Sequence, residues 1–384
     1  MFKRFVSTAA AVVCAAALST AAFAQTAKPK NIILFVGDGM GKTHVDLAAL
    51  LQDGPMPGED GKPPMLYFEE WPVLGSVATH ATDAMITDSA ASATSLASGV
   101  KTYNGAIGFT VDKQPVEEVI TDLAKAKGMS TAVVSSVSAN HATPASFYAH
   151  NESRQNYDDI LEQFFTNPNV DVLLGGGLHG SLYIAGKAED WAKEHGVTIL
   201  SKEDLQKQDF SEYAGKRVFG QFDENSDRHL DYIASEDRGD EPRLEDLANA
   251  ALEIMLAKEK PFFMSIESGA IDWASHANDE KMMLGEMYEF ERTIRQVCER
   301  LEQAGELDET LLIVTADHEC GGLTVPEPYG EVVTTFEEVQ VSWSTGKHTM
   351  AAVGIWARGP MAEQVSGKID QTHVFQAMKK ALED

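Results

Sequence analysis

Cysteine is scarce in this chain, with three thiols among 384 residues. Cys14 falls in a leading apolar stretch, so a disulfide scaffold is excluded; Cys298 and Cys320 can pair in an oxidising compartment or stay as buried thiols. Cationic side chains are scarce too: 31 Lys and Arg stand against 59 Asp and Glu, a formal net charge of −28. A surface of that sign repels a nucleic-acid backbone, which removes nucleic acid as a specific partner. Long apolar runs are lacking after the first residues, and no later window approaches the roughly 20 apolar residues of a membrane span. There is no internal repeat or low-complexity tract, and no Gly-Lys-Ser/Thr phosphate loop in Walker spacing.

What is there begins with Lys3 and Arg4, an apolar stretch from Ala9 to Leu18, and Ala22-Phe23-Ala24 in the small-x-small pattern that a signal peptidase cuts. Residues 1–24 are therefore expected to be an export signal, and the mature protein to be soluble, with the periplasm as its expected location and the medium as the alternative. Losing two cations and no acids moves the formal charge from −28 to −30. The remaining length of about 360 residues is ample for one large core. A single elaborated domain is expected over 25–384.

Apolar, β-rich runs recur at Asn31 to Val36, Met129 to Ser135, Val170 to Leu174, Pro261 to Ile266, Leu311 to Thr315 and Ala351 to Trp356. Most are continuous rather than alternating, the pattern of strands covered on both faces. Helical patterns lie between them, at Val116 to Lys127, Leu244 to Lys258 and Met282 to Ala304. The fold class expected is α/β, a three-layer α/β/α sandwich around a large, mainly parallel sheet. Two polar stretches, Gly177 to Glu241 and Glu319 to Lys347, read as surface insertions. Polar residues crowd just past the carboxyl ends of the runs, where ligand sites of open α/β sheets gather: Asp38, His141 with Thr143, Glu267, and Asp317 with His318.

Four segments carry candidate chemistry. Thr87-Asp88-Ser89-Ala90-Ala91-Ser92-Ala93-Thr94 places a serine behind a carboxylate at the start of a helix of small side chains. On its own this reads more readily as a helix cap than as a nucleophile facing an anion at a helix N-terminus. Asp38 sits among three glycines in Gly37-Asp38-Gly39-Met40-Gly41, either a tight turn or a metal ligand. In Glu267-Ser268-Gly269-Ala270-Ile271-Asp272-Trp273-Ala274-Ser275-His276, Asp272 and His276 stand four apart and share a helix face, so they can hold one ion. Asp317-His318 ends a buried-strand pattern with two groups that are costly to bury without partners. His348 alone is an ordinary loop histidine. His44, His80, His150, His179, His195, His229 and His373 have no carboxylates converging on them in sequence and receive no role.

In their order along the chain these segments, with Lys101-Thr102-Tyr103-Asn104-Gly105 and His141-Ala142-Thr143-Pro144-Ala145, resemble the alkaline phosphatase family from Asn31 to about Pro360. The resemblance implies two zinc ions, one held by Asp272, His276 and His348, the other by Asp38, Asp317 and His318. It implies a magnesium held by Asp38, Thr143 and Glu267, Ser89 as nucleophile, and Arg154 as a clamp on two phosphate oxygens oriented by Asp88. The implied reaction is hydrolysis of small phosphate monoesters with broad specificity, through a phosphoseryl intermediate. A serine hydroxyl needs a base or a metal to act as a nucleophile, and two ions about 4 Å apart would clamp both ends of an in-line displacement. His141 and Trp273, implied to line the phosphate site, depart from members that carry aspartate and lysine there; an imidazole near the third ion suits a softer metal than magnesium. A homodimer is expected by analogy, although only the 29 residues between His318 and His348 stand where longer relatives form a crown. Two rival readings remain: a related hydrolase of phosphodiesters, phosphonates or sulfate esters, and an exported phosphate- or zinc-binding protein without turnover. Against a sulfatase, Ser89-Ala90-Ala91-Ser92 lacks the Cys/Ser-x-Pro-x-Arg setting.

Overall fold

Continuous apolar runs end up side by side in the computed structural model, which describes residues 28–53, 64–181, 184–223, 229–230, 232–236, 239–326 and 340–383. The expected export signal, residues 1–24, lies outside the described residues. In chain order the strands are β1 (Asn31–Gly37), β2 (Val73–Ala78), β3 (Ser130–Ser138), β4 (Val172–Gly177), β5 (Thr198–Ile199), β6 (Val218–Gln221), β7 (Phe262–Ser268), β8 (Thr310–Ala316), β9 (Glu319–Cys320), β10 (Leu323–Thr324), β11 (Ser342–Trp343), β12 (His348–Thr349), β13 (Val353–Arg358) and β14 (Gly367–Asp370). Ten of them form one sheet in the order β14-β2-β13-β8-β1-β7-β3-β4-β6-β5. Only β13 runs against its neighbours; every other pairing is parallel. The expectation of a mainly parallel sheet is met, and every residue of β1, β3, β7 and β8 is buried, as two-sided cover requires.

The helices are α1 (Lys42–Asp53), α2 (Ser89–Ser98), α3 (Ile120–Ala126), α4 (Ala142–Ala145), α5 (Tyr157–Thr166), α6 (Ile184–His195), α7 (Leu244–Ala257), α8 (Ala270–His276), α9 (Glu280–Ala304) and α10 (Gln371–Leu382). One group packs around α9, which touches α1, α7 and α8, and the other gathers α2, α3, α4 and α10. Both groups reach β3 and β7, which gives the layered α/β/α arrangement. Helix ends follow local chemistry. The Asp279 carboxylate accepts from Met282 N at 3.0 Å to cap α9, and Gly305 at φ 73° ends it. The α3 helix is shorter than its apolar pattern because Pro115 is drawn into a bridge with Phe109.

Register decides where the site forms. Gly37 lies opposite both Ser268 and Ala316, and Glu267 opposite both Val36 and Ser135. The carboxyl ends of four neighbouring strands are therefore level, and the residues just beyond them, Asp38 and Asp317, emerge beside Glu267. The stretch 177–241, expected at the surface, supplies α6, the strand β6 and the edge strand β5. In 319–347, β9 pairs with β12 and β10 with β11; residues 327–339 lie outside the described ones. Cys298 and Cys320 are separate buried thiols. Among the described residues no helix is long and apolar enough to cross a membrane.

Candidate active site

Three sets of donor side chains meet at this level edge. The outer set is Asp272 and His276 on α8 with His348 on β12. His276 Nε2 is 3.3 Å from Asp272 Oδ2, His348 Nε2 is 3.4 Å from Asp272 Oδ1, and the two Nε2 atoms are 3.1 Å apart. Their other ring nitrogens face carbonyls, His276 Nδ1 at 2.8 Å from Gly346 O and His348 Nδ1 at 2.9 Å from Thr87 O. A carbonyl only accepts, so each Nδ1 carries a proton and each neutral ring turns its Nε2 lone pair inward. Lone pairs and a carboxylate crowded this way call for a cation between them. A proton is one such cation: the hydrogen bond to Asp272 pushes His276 up to about 9.

The inner set is Asp38, Asp317 and His318, all fully buried. His318 Nε2 is 3.1 Å from Asp317 Oδ2 and 3.5 Å from Asp38 Oδ1. Asp317 Oδ1 accepts from Gly39 N at 3.1 Å and His318 N at 2.8 Å, which aims its other oxygen into the site. Gly39 is required here: its φ is 73°, and a Cβ would lie 2.7 Å from the Cα of Asp272. Burial, then the neighbouring carboxylates, holds Asp38 well above the ordinary carboxylate range and Asp317 at about 6. Burial also holds His318 far below the ordinary histidine value. The His318 and His348 rings stack with centroids 3.5 Å apart, joining inner and outer sets.

The third set is Asp38, Glu267 and His141, with Thr143 buried beside them at the start of α4. Ser135 donates to Glu267 Oε2, while burial pushes Glu267 up to about 7. His141 shares this set, with its Nδ1 buried and without a hydrogen-bond partner. Arg154 Nη2 lies 3.0 Å from His141 Nε2, and a guanidinium only donates, so the histidine lone pair faces Arg154.

The fit to metal ions can be judged from unmet bonding. Both oxygens of Asp38, Oδ2 of Asp317, Oε1 of Glu267, Oδ1 of Asp272 and Oγ1 of Thr143 are buried without a hydrogen-bond partner. Such groups are costly unless something pairs with them. The donors fall into sets whose ligand atoms lie within 4.8 Å of one another: Asp272, His276, Cys320 and His348; Asp38, Asp272 and His318; Asp38, His141 and Glu267. Carboxylates with imidazoles suit zinc, and the oxygen-rich third set suits a harder ion. The residues fit divalent cations.

Ser89 opens α2, with its Oγ 3.2 Å from His318 Nε2. Asp88 caps the same helix through Ala91 N at 3.0 Å, and its other oxygen binds Arg154 Nη1 and Gly105 N, each at 3.0 Å. The cap and the functional readings are thus compatible: one carboxylate starts the helix and aims the arginine. Asn104 holds Asp88 N at 2.8 Å, whereas Lys101 of the same motif turns away to Asp370 at 3.2 Å. Trp273 stands edge-on to His141, His229 and His179 at 5.6, 5.0 and 6.2 Å. His179 and His229 had received no role from sequence, nor had Ser135 and Cys320. The available signal for Cys320 was its nearness in sequence to His318; the histidines gave none.

Comparison with known proteins places the chain in a family. The family model described as alkaline phosphatase matches residues 29–337 and 329–384. Alkaline phosphatase 4 of Bacillus subtilis is 34% identical over 309 residues, covering 78% of this chain and 63% of that protein. Alkaline phosphatase of Escherichia coli is 28% identical, covering 92% and 86%. The structure of alkaline phosphatase from the Antarctic bacterium TAB5 superposes with a TM-score of 0.78 at 27% identity, covering 93% of this chain and 99% of that one. A histidine-to-aspartate variant of that enzyme has magnesium in its M3 site. With the family model matched over most of its length and the fold shared with a solved relative, the chain belongs to the alkaline phosphatase family and is a phosphatase hydrolase.

Proposed function

We propose that the protein hydrolyses small phosphate monoesters with broad specificity through a phosphoseryl intermediate on Ser89. The observation that carries this reading is the Ser89 hydroxyl at a helix N-terminus, 3.2 Å from His318 and beside the donor sets. Zinc would be held by Asp272, His276 and His348, a second zinc by Asp38, Asp317 and His318, and magnesium by Asp38, Thr143 and Glu267. When bound, such ions lower the pKa of a coordinated hydroxyl and offset charge on the departing oxygen. His141 and Trp273 line the phosphate site, and His141 leaves room for a softer third ion.

The chain's own groups then divide the work. Arg154, aimed by Asp88, presents two N–H groups to non-bridging phosphate oxygens. The free N–H groups at the start of α2 face the same anion. Ser89 Oγ attacks phosphorus, the bond to the alcohol oxygen breaks, and the alcohol leaves. Water then attacks phosphoserine, releasing inorganic phosphate and restoring the hydroxyl. We further infer export by residues 1–24 to the periplasm, with the medium as the alternative, one domain over 25–384, and a homodimer.

Purified protein supplied with zinc and magnesium should release phosphate from an aryl monoester at alkaline pH, faster than it cleaves a diester. Chelator should abolish this release and the two metals restore it. Ser89→Ala should lose turnover while keeping its metals. Full activity in Ser89→Ala removes the nucleophile assignment, and a preference for diesters removes the substrate class.

A further inference from the structure

The outer set has four donors. Besides Asp272, His276 and His348 it contains the Cys320 thiol, and one donor atom from each lies within 4.8 Å of the others. The backbone accounts for this placement. In the antiparallel pair of β9 and β12, Cys320 lies directly opposite His348, and residues so paired project from one face at a Cβ separation of roughly 5 Å. Cys320 N also donates to Gly39 O at 3.0 Å, fixing it against the turn that carries Asp38. The residue is fully buried, and Asp272 Oδ1 in the same group is buried without a partner. The thiol is free of any disulfide.

We propose that Cys320 is a fourth, exchangeable ligand of the outer ion, whose thiolate fills the position that a phosphate-ester oxygen takes during turnover. The inference rests on the outer zinc site proposed above. On binding, the S–H bond gives way to a sulfur–metal bond and the proton passes to solvent. One thiolate, two imidazoles and one carboxylate make a tetrahedral set of the kind zinc prefers. The sulfur biases that set toward zinc, cobalt or cadmium and against magnesium or manganese. Occupying the fourth position in the resting enzyme retains the ion, while exchange leaves room for substrate.

The test is to strip the full-length protein with chelator, reload it with cobalt and record the near-ultraviolet spectrum with and without inorganic phosphate. Wild type and Cys298→Ser should both show a sulfur-to-cobalt charge-transfer band that weakens as phosphate saturates. Cys320→Ser should lack the band and bind zinc about tenfold more weakly in competition with a chromophoric chelator. No band in cobalt-loaded wild type, a band unmoved by phosphate, or a band that persists in Cys320→Ser overturns the proposal. The wild-type spectrum decides the matter even if the variant fails to fold. Failure of cobalt to bind at all overturns the outer site itself, a result distinct from binding with hydrolysis and no band.

Discussion

The inner donors Asp38, Asp317 and His318 and the outer donors Asp272, His276 and His348 share one site but differ in electrostatic character. The inner carboxylates are fully buried, and three of their four oxygens have no partner. Burial, then neighbouring acids, opposes ionisation of Asp38, and for Asp317 the same two causes outweigh the Gly39 N–H and His348 that favour its charge. The outer set pairs within itself. Burial alone would raise Asp272, yet the His276 and His348 rings beside it hold it well below the ordinary carboxylate range. Without metal, protons therefore settle on the carboxyls of the inner set and on the imidazoles of the outer one. The inner set then holds neutral acids and the outer set an ion pair, so protons compete with metal at both by different groups.

The largest effect should come from Asp38, which belongs to both the His318 group and the Glu267 group. Asp38→Asn should cut monoester turnover at least about a thousandfold, or ~4 kcal/mol. In chelator-treated protein the same change removes a buried acid from a crowd of acids and should add about 1 kcal/mol or more of stability. Urea unfolding with chelator present measures this. A less stable Asp38→Asn would show that the inner set is not the electrostatic burden described.

His276→Ala should act on the outer set alone. Its expected signature is a zinc affinity about 10–100-fold weaker at one site, with the inner metals retained after dialysis. Metal content measured alongside activity distinguishes this from general loss. Equal loss of every ion would break the distinction between the sets.

The same contrast has a pH dependence. In metal-free protein His276 titrates at about 9, above its ordinary value of 6.5. The stability it contributes is complete below pH 6.5 and is lost as pH rises through 9. Glu267, pushed up from 4.5 to about 7, resists ionising in the folded state, so its contribution falls as pH rises from 4.5 to 7 and is constant above that. The two losses follow one another, Glu267's ending near pH 7 and His276's running on to 9, and the metal-free protein should lose about 1 kcal/mol between pH 7 and 9 once the half-exposed position of His276 is allowed for. Thermal melts with chelator across that range give the answer. A flat or rising profile would contradict the outer pairing.

Much of the frame was legible because its physics is local. A strand buried on both faces has to be apolar throughout, so β1, β3, β7 and β8 stood out, and the groups at their ends could be named before their register was known. β2 was harder: it alternates, leaves Leu74 67% exposed, and carries Gly75 only because the Gly367 carbonyl approaches to 2.4 Å of where a Cβ would be. That constraint belongs to a partner strand about 290 residues away, a separation no sequence window spans. His348 looked ordinary for the same reason, since β9 and β12 bring it to Asp272. Arg154 came from the family resemblance alone, for its partner Asp88 is remote in sequence. His179 and His229 have no carboxylates converging on them in sequence, and their shared neighbour is the remote Trp273 ring.

The smallest effect should come from Ser135, which donates to Glu267 Oε2 but is no donor to an ion. Without it, Glu267 would have neither oxygen hydrogen-bonded by that strand, since Oε1 already lacks a partner. Its ionised form would be favoured less, and magnesium, which needs that form, would bind a few-fold more weakly, ~1 kcal/mol. Ser135→Ala should therefore shift the magnesium midpoint of activation upward and leave turnover at saturating magnesium unchanged. Zinc content should not move, because Ser135 touches neither His318 nor the outer set among its recorded hydrogen bonds. A fall in turnover that saturating magnesium does not restore would mean that Ser135 supports the reacting groups directly, and the separation of the oxygen-rich third set from the zinc sets would fail with it.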